Sequence, residues 1–185
     1  MMHFPVLLGK GRKALATHFR LQHRSSGAFV ISDHLAFCME DTAEVLDFFL
    51  LCARRFFPSA LSWQVDWPLQ EQRQLVTALN LHEPLRLSGD SWFLPLFFAL
   101  ACMEWERLWP KHILASGAIR QGRGLRCVSI GGALHKWRLA QTSNYLCFLP
   151  QSNVTRLQRR GMDVSNCIAL PFNTLQCLNI WREYV

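Results

Sequence analysis

The stretch "SGDSWFLPLFFALACMEW", residues 88 to 105, places a polar turn directly before the most apolar segment of the chain. Proline lacks an amide hydrogen and clashes with the preceding helical turn, so it fits only near a helix start. Pro95 therefore predicts a helix that begins near Ser91. There Ser91 would lie beside unpaired backbone N–H groups, which can stabilise an oxyanion. Ser91 is thus either a nucleophile or an ordinary N-cap, and this stretch alone leaves both open.

A lysine lies on the apolar face of a second predicted helix, in "SIGGALHKWRLA" (129–140). At about 100° per residue, Lys136 falls on the side of its apolar neighbours, and His135 and Arg138 fall on the other. Burial penalises the ammonium and lowers the lysine pKa, so that a neutral amine can take the proton of a serine hydroxyl. The alternative is a lysine whose stem is buried and whose amine reaches water.

The composition limits the remaining possibilities. The chain has 185 residues, of which 50% are apolar, and this predicts one domain with its own core over residues 1–185. Seven cysteines without a CxxC pair or zinc spacing predict free thiols in a reducing compartment, and the cytoplasm is the expected location. The sequence has neither a P-loop nor an apolar run long enough to span a bilayer, so we expect no cofactor, no metal and no membrane association.

The net charge of +7 raises nucleic acid as a partner, but the basic residues are dispersed along the chain. They match no DNA- or RNA-binding motif, so a nucleic-acid-binding protein has no support beyond charge. A solvated basic surface explains the charge as well as a binding patch does.

Local signals predict a mixture of strands and helices without a regular alternation, which indicates an α+β fold. The predicted strands are two within 14–33 around a Ser-Ser-Gly turn, then 61–67, 112–119 and 125–130 with a turn at 122–124, 145–150 and 167–171. Five helices are predicted. The first begins at an Asp41–Glu44 capping box and ends at Phe57, and the second runs from Pro68 to Leu79 with Asn80 as the stop. The third follows Ser91 until Pro110, the fourth follows Gly131-Gly132, and the fifth covers 173–184.

Four motifs occur in the order that one enzyme family shows. They are "GDS" (89–91), "LASGAI" (114–119), "VSIGGALHK" (128–136) and "YLCFLPQSN" (145–153). They resemble motifs of the proteolytic domain of Lon, a Ser-Lys peptidase family. In the same order, these motifs are the Gly-Asp-Ser nucleophile motif of the family's archaeal branch, the "AMTGxI/L" strand, the "LPVGGxxxK" helix start and the "VIIPxxN" segment. The resemblance covers residues 85–185, and residues 1–84 are a divergent part of the same predicted domain.

The resemblance implies a Lon-protease-like α+β fold and an ATP-independent serine endopeptidase that works through an acyl-enzyme. Ser91 would attack the peptide carbonyl, and Lys136 would act first as base and then as acid. Ser116, which replaces a threonine, would orient the lysine ammonium. Asp90 would bind that ammonium or shape the loop, and Gly89 would belong to the nucleophile turn. The N–H groups beside Ser91 would form part of the oxyanion hole.

The sequence also departs from the family. Trp92 replaces a small residue after the nucleophile and is expected to narrow or gate the cleft. The family's ATP-driven unfoldase is missing, so the expected partners are an unfolded or partner-presented protein substrate and a protein that regulates or delivers it. The oligomeric state stays open. The alternative function is a gated or inactive Lon-like scaffold subunit that binds partner proteins in a larger assembly.

Overall fold

The computed structural model describes residues 1–185 apart from 11–12, 26–28, 40–41, 81–86, 88–89 and 122–124. Strands and helices are mixed in several sheets, so the predicted α+β class is confirmed. Two compact units can be distinguished, while the single domain over 1–185 stays a prediction. Unit 1 comprises Met1–Phe4, Thr17–Gly89 and Ala99–Trp109, and unit 2 comprises Pro5–Ala16, Asp90–Phe98 and Pro110–Val185. Across the described residues, no helix has both the length and the apolar character needed to cross a membrane.

A four-stranded sheet has the order β1-β2-β4-β3. Its strands are β1 (Met2–Lys10), β2 (Lys13–His23), β3 (Val30–Ile31) and β4 (Trp63–Asp66). β4 pairs antiparallel with β2 and parallel with β3. The strands predicted within 14–33 and 61–67 are therefore present, but β2 and β3 flank β4 and do not form a hairpin. Positions 26 and 27 of the predicted turn lie outside the described residues.

The helices of unit 1 include α1 (Asp33–Cys38), α2 (Thr42–Arg55), a short 3-10 helix (Pro58–Ser62) and α3 (Leu69–Leu79). α3 confirms the sequence prediction, because Pro68 precedes its first residue and Asn80 ends it with a φ of 50°. Asparagine tolerates this left-handed region better than most residues. α2 ends at Arg55, close to the predicted end, but Asp41 of the predicted capping box lies outside the described residues.

The apolar helix α4 spans Phe93–Glu104, and Pro95 is in its first turn. The predicted helix start near Ser91 is therefore confirmed. The predicted end at Pro110 is wrong, because the helix stops at Glu104. Glu106 has a φ of 55°, a conformation that a right-handed helix does not continue through.

Unit 2 contains a three-stranded and a two-stranded sheet. The parallel sheet β5-β8-β9 consists of β5 (Ile113–Ala115), β8 (Leu146–Pro150) and β9 (Cys167–Leu170), and the antiparallel pair consists of β6 (Ala118–Gln121) and β7 (Leu125–Val128). The stretch 112–119 is not the single strand that the sequence predicts. Ser116 and Gly117 interrupt it, because the Gly117 amide donates to the carbonyl of Ser91. The predicted turn at 122–124 lies outside the described residues.

Three further helices complete unit 2: α5 (Ala133–Thr142), α6 (Gln151–Gln158) and α7 (Thr174–Arg182). α5 and α7 were predicted, whereas α6 was not. α5 follows Gly132, whose φ of 67° suits glycine. One side of α5 joins a core cluster with β5, β8 and α6. The buried cluster contains Leu7, Leu114, Trp137, Ala140, Cys147, Leu149, Val154 and Leu157. This packing turns the neighbouring Lys136 inward.

Candidate active site

Ser91 lies in the turn that leads into α4. The carbonyl of the preceding residue, Asp90, accepts a bond of 3.1 Å from the amide of Phe93. The carbonyl of Ser91 accepts two hydrogen bonds, one of 3.0 Å from the Gly117 amide and one of 3.3 Å from the Ser116 hydroxyl. Backbone and side-chain bonds from the junction of β5 and β6 therefore fix the position of this serine. Its own hydroxyl is left to face another partner.

That partner is Lys136 of α5. The Lys136 Nζ lies 2.8 Å from the Ser91 Oγ and 3.0 Å from the Ser116 Oγ. The lysine is only 4% exposed, whereas Ser91 is half-buried. The structure thus brings together the two residues for which the sequence predicted a nucleophile and a base. The alternative in which the amine reaches water does not hold, because the whole side chain is buried.

Ser116 determines which atoms donate and which accept in the contact between Lys136 and Ser91. Its side chain is fully buried, and its hydroxyl hydrogen is directed to the Ser91 carbonyl. The Ser116 oxygen can therefore only accept from the lysine, which uses one N–H of the amine. In the neutral amine the lone pair is then available for the hydroxyl hydrogen of Ser91. This geometry is the one needed for proton transfer from the serine to the lysine.

The environment of Lys136 favours the neutral amine. Burial lowers the pKa of this lysine from 10.5 to about 8, because the charged form loses hydration. Cys147 and Asp90 oppose this shift. Burial also raises the pKa of the Cys147 thiol far above neutrality, so this thiol carries no charge near pH 7. Asp90 is therefore the anion that acts on Lys136 at neutral pH.

Asp90 and Trp92 flank Ser91 in the chain. Asp90 binds Arg120, with 2.7 Å between Oδ2 and Nε, so the ammonium of Lys136 is not its bonded partner. The indole of Trp92 is buried, and it meets the ring of Phe93 edge-on at 5.0 Å. The expected gating role of Trp92 stays a prediction. Gly89 lies outside the described residues.

Asn153 fixes the loop that precedes the lysine helix. The Asn153 side chain is fully buried. It accepts a hydrogen bond of 3.0 Å from the Ile130 amide and donates one of 2.9 Å to the Ile130 carbonyl. These two hydrogen bonds use both the oxygen and the nitrogen of the side-chain amide. It holds the chain just before the Gly131-Gly132 turn and so sets where α5 begins. The structure thus gives Asn153 a structural task next to the site.

Sequence reasoning missed Arg120 and Cys147. Arg120 lies in the exposed second half of the short strand β6, and its side chain is 65% exposed, which is ordinary for arginine. Cys147 lies in the continuous apolar run of β8 and resembles any buried core thiol. Neither residue has a local signal, because both act on the site through contacts with segments distant in the sequence.

No model of a known protein family matches the chain, and no curated protein matches it. Among the described residues, no cluster of three or more histidine, cysteine or acidic side chains could hold a metal ion.

Proposed function

We propose that this chain is a serine endopeptidase in which Ser91 is the nucleophile and Lys136 the general base. The observation that carries the proposal is the 2.8 Å contact between the Ser91 hydroxyl and the buried Lys136 amine. A buried amine whose pKa is about 8 is partly neutral near pH 7, which a base requires. The ordered resemblance of residues 85–185 to the proteolytic domain of Lon supports the same reaction and a Lon-protease-like fold.

In the proposed reaction, the Ser91 Oγ attacks the peptide carbonyl while its proton passes to the Lys136 Nζ. The tetrahedral intermediate collapses, the C–N bond breaks, and the lysine ammonium gives the proton to the leaving amine. A water molecule then attacks the Ser91 ester and gives its proton to Lys136; the ester C–O bond breaks, the acid product leaves, and Lys136 returns the proton to the Ser91 Oγ. Ser116 holds the amine throughout, because its oxygen accepts one lysine N–H at 3.0 Å.

The oxyanion donors come from the start of the turn. The amides of Phe93 and Leu94 are already used, since they donate to the carbonyls of Asp90 and Gly117. The amide of Ser91 itself is a candidate donor to the developing negative charge. Backbone N–H groups at a helix entrance supply this stabilisation without reorganisation.

The proposed substrate is an unfolded protein or a segment presented by a partner protein, since the chain carries no P-loop to drive unfolding. A regulating or delivering partner belongs to the proposal for the same reason. All seven cysteines are free, which supports a reducing compartment such as the cytoplasm.

The test is cleavage of fluorescein-labelled casein by the full chain, with its presenting partner if one co-purifies. We expect Ser91→Ala and Lys136→Ala each to reduce the cleavage rate by at least about 1,000-fold, because the two groups act as one unit. The matched controls are Ser143→Ala and Lys111→Ala, which alter exposed residues and should keep wild-type cleavage.

The pH dependence gives a second readout of the same reaction. The neutral amine is the active form, so the cleavage rate should rise with pH and level off above about 8, the folded-state pKa of Lys136. Cleavage that survives in both variants would contradict the proposal. An inactive wild type whose variants still bind the partner would favour the scaffold alternative.

A further inference from the structure

An ion pair lies directly beside the candidate nucleophile. Arg120, in β6, binds the carboxylate of Asp90, and Asp90 precedes Ser91 in the chain. The Arg120 side chain is 65% exposed, and that of Asp90 is 14% exposed. Exposed arginine pairs add little to stability, because solvent screens them and the side chain loses rotamer freedom. The pair is therefore of interest for its position beside Ser91 and not for its contribution to stability.

The pair matters because of the charge balance around Lys136. α5 packs against β8, and the titratable group that β8 presents to the lysine is the Cys147 thiol. Burial keeps this thiol neutral, since its pKa is raised far above the physiological range. From the turn before α4, Asp90 presents a carboxylate, which favours the charged ammonium of Lys136. An unpaired Asp90 would therefore oppose the neutral amine that the proposed reaction needs.

We propose that Arg120 is a positioning residue for the reaction proposed above. Its guanidinium binds the carboxylate of Asp90, so that this carboxylate is compensated by arginine and not by the ammonium of Lys136. The lysine is then left with two neutral partners, the hydroxyls of Ser91 and Ser116. This inference rests on the proposed function, since it explains how the base stays uncharged beside an acidic residue.

The inference can be tested by NMR titration of the full chain labelled with 13C at the lysine ε carbons. The sequence contains four lysines, Lys10, Lys13, Lys111 and Lys136, so few signals are expected. The signal that is absent from Lys136→Met identifies the site. We expect Arg120→Gln to move the Lys136 midpoint to higher pH by roughly half a unit or more, because Asp90 loses its compensating charge. Arg120→Lys keeps a cation and should move it less.

Two further variants separate pairing from a general change in charge. Asp90→Asn removes the carboxylate, so the Lys136 midpoint should move to lower pH; in that background, Arg120→Gln should have a smaller effect than in the wild type. Arg138→Gln is the matched control, because it removes the same charge from an exposed position on α5. It should leave the midpoint unchanged. Circular dichroism reports whether each variant is folded.

An unchanged midpoint in folded Arg120→Gln would overturn the inference, and so would an equal shift in Arg138→Gln. If Arg120→Gln does not fold, Asp90→Asn decides, because a midpoint that fails to fall contradicts a role for this carboxylate. The titration needs no substrate, so it can fail while casein cleavage still supports Ser91 and Lys136. In the cleavage assay, Arg120→Gln should lose activity at pH 7 and recover it at pH 9, which a purely structural role would not produce.

Discussion

At the scale of single residues, Lys136 is where stability and the proposed function conflict. Lys136 is 4% exposed, and the partners of its amine are two neutral hydroxyls. Burying an ammonium without a bonded carboxylate destabilises the folded state, which is why the lysine pKa falls to about 8. A chain selected only for stability would place an apolar side chain here.

We therefore expect Lys136→Met to stabilise the protein at pH 7. The folded pKa of about 8 lies below 10.5, so between these values the unfolded chain binds the proton and the folded chain does not. Wild-type stability thus rises with pH across this window, and the charge penalty is fully present below pH 8. The difference in pKa corresponds to roughly 3 kcal/mol, at about 1.4 kcal/mol per unit. Urea unfolding at pH 7 and at pH 10 measures it.

The gain in Lys136→Met should shrink between pH 7 and pH 10, because the wild-type amine no longer has to be buried as an ammonium at the higher pH. Lys111→Met is the control, since Lys111 is exposed and its substitution should show no such pH-dependent gain. A Lys136→Met variant that is less stable than the wild type at pH 7 would contradict the electrostatic account.

The sequence predicted the residues of the site whose signals are local. Pro95 located the helix start at Ser91, and the apolar periodicity of α5 located Lys136 on the buried face. Arg120 could not be predicted as the partner of Asp90, because only the path of β6 brings them together across 30 positions.

At the scale of elements, the junction between β5 and β6 holds the turn that contains Ser91. Gly117 donates its amide to the Ser91 carbonyl and accepts the amide of Leu94, each at 3.0 Å. A Cβ at Gly117 would lie 2.8 Å from the Leu94 Cδ2 and 3.1 Å from a ring carbon of Pro150. Leu94 is fully buried, so its side chain has little room to move.

We expect Gly117→Ala to lower the free energy of unfolding by about 1 to 3 kcal/mol, because the added methyl overpacks this junction. Urea unfolding measures the loss. The matched control is Gly131→Ala, since a Cβ there meets nothing within 4 Å. That variant should change stability by no more than about 1 kcal/mol. Equal stability of the two variants would show that the junction tolerates the methyl group.

Elements with local punctuation were predicted, whereas the pairing of the strands was not. Asn80 ends α3, Gly132 precedes α5, and Asn173 caps α7 with bonds to two backbone amides. The two-residue strand β3 lies within the predicted stretch 14–33, but its parallel pairing with β4 could not be predicted. α6 begins directly after Pro150, so no loop composition separates it from β8.

At the scale of the whole molecule, the burial of the cysteine thiols reflects the packing of the chain. Six of the seven are buried, and Cys167 is half-buried. Burial, and to a lesser extent Asp163, raises the pKa of the Cys167 thiol to about 11, which limits its thiolate fraction. Because the thiolate is the reactive form, even this thiol should react slowly at neutral pH.

We expect a disulfide reagent such as Ellman's reagent to modify about one thiol in the native protein, faster as the pH rises, and all seven in guanidinium chloride. Cys167→Ser should remove the native-state reaction, and Cys52→Ala, at a fully buried position, should retain it. Fewer than seven thiols in denaturant would reveal a disulfide, and rapid native reaction of several thiols would contradict the packing.

The α+β class followed from composition and periodicity, but the sheet orders did not. Strand order depends on contacts between distant segments, as in the parallel pairing of β8 with both β5 and β9. Runs such as 112–119 carry no mark of where one sheet ends and the next begins, because Ser116 and Gly117 are compatible with a continuous strand.

The difference in burial between Lys136 and Lys111 also bears on chemical damage to their amines. An uncharged amine is the form that condenses with aldehydes, and Lys136 is partly in that form near pH 8. At 4% exposure it is sheltered from such metabolites, whereas the exposed Lys111 is open to them. The fold thus holds an amine of lowered pKa, which the proposed reaction needs, and at the same time protects it from adduct formation.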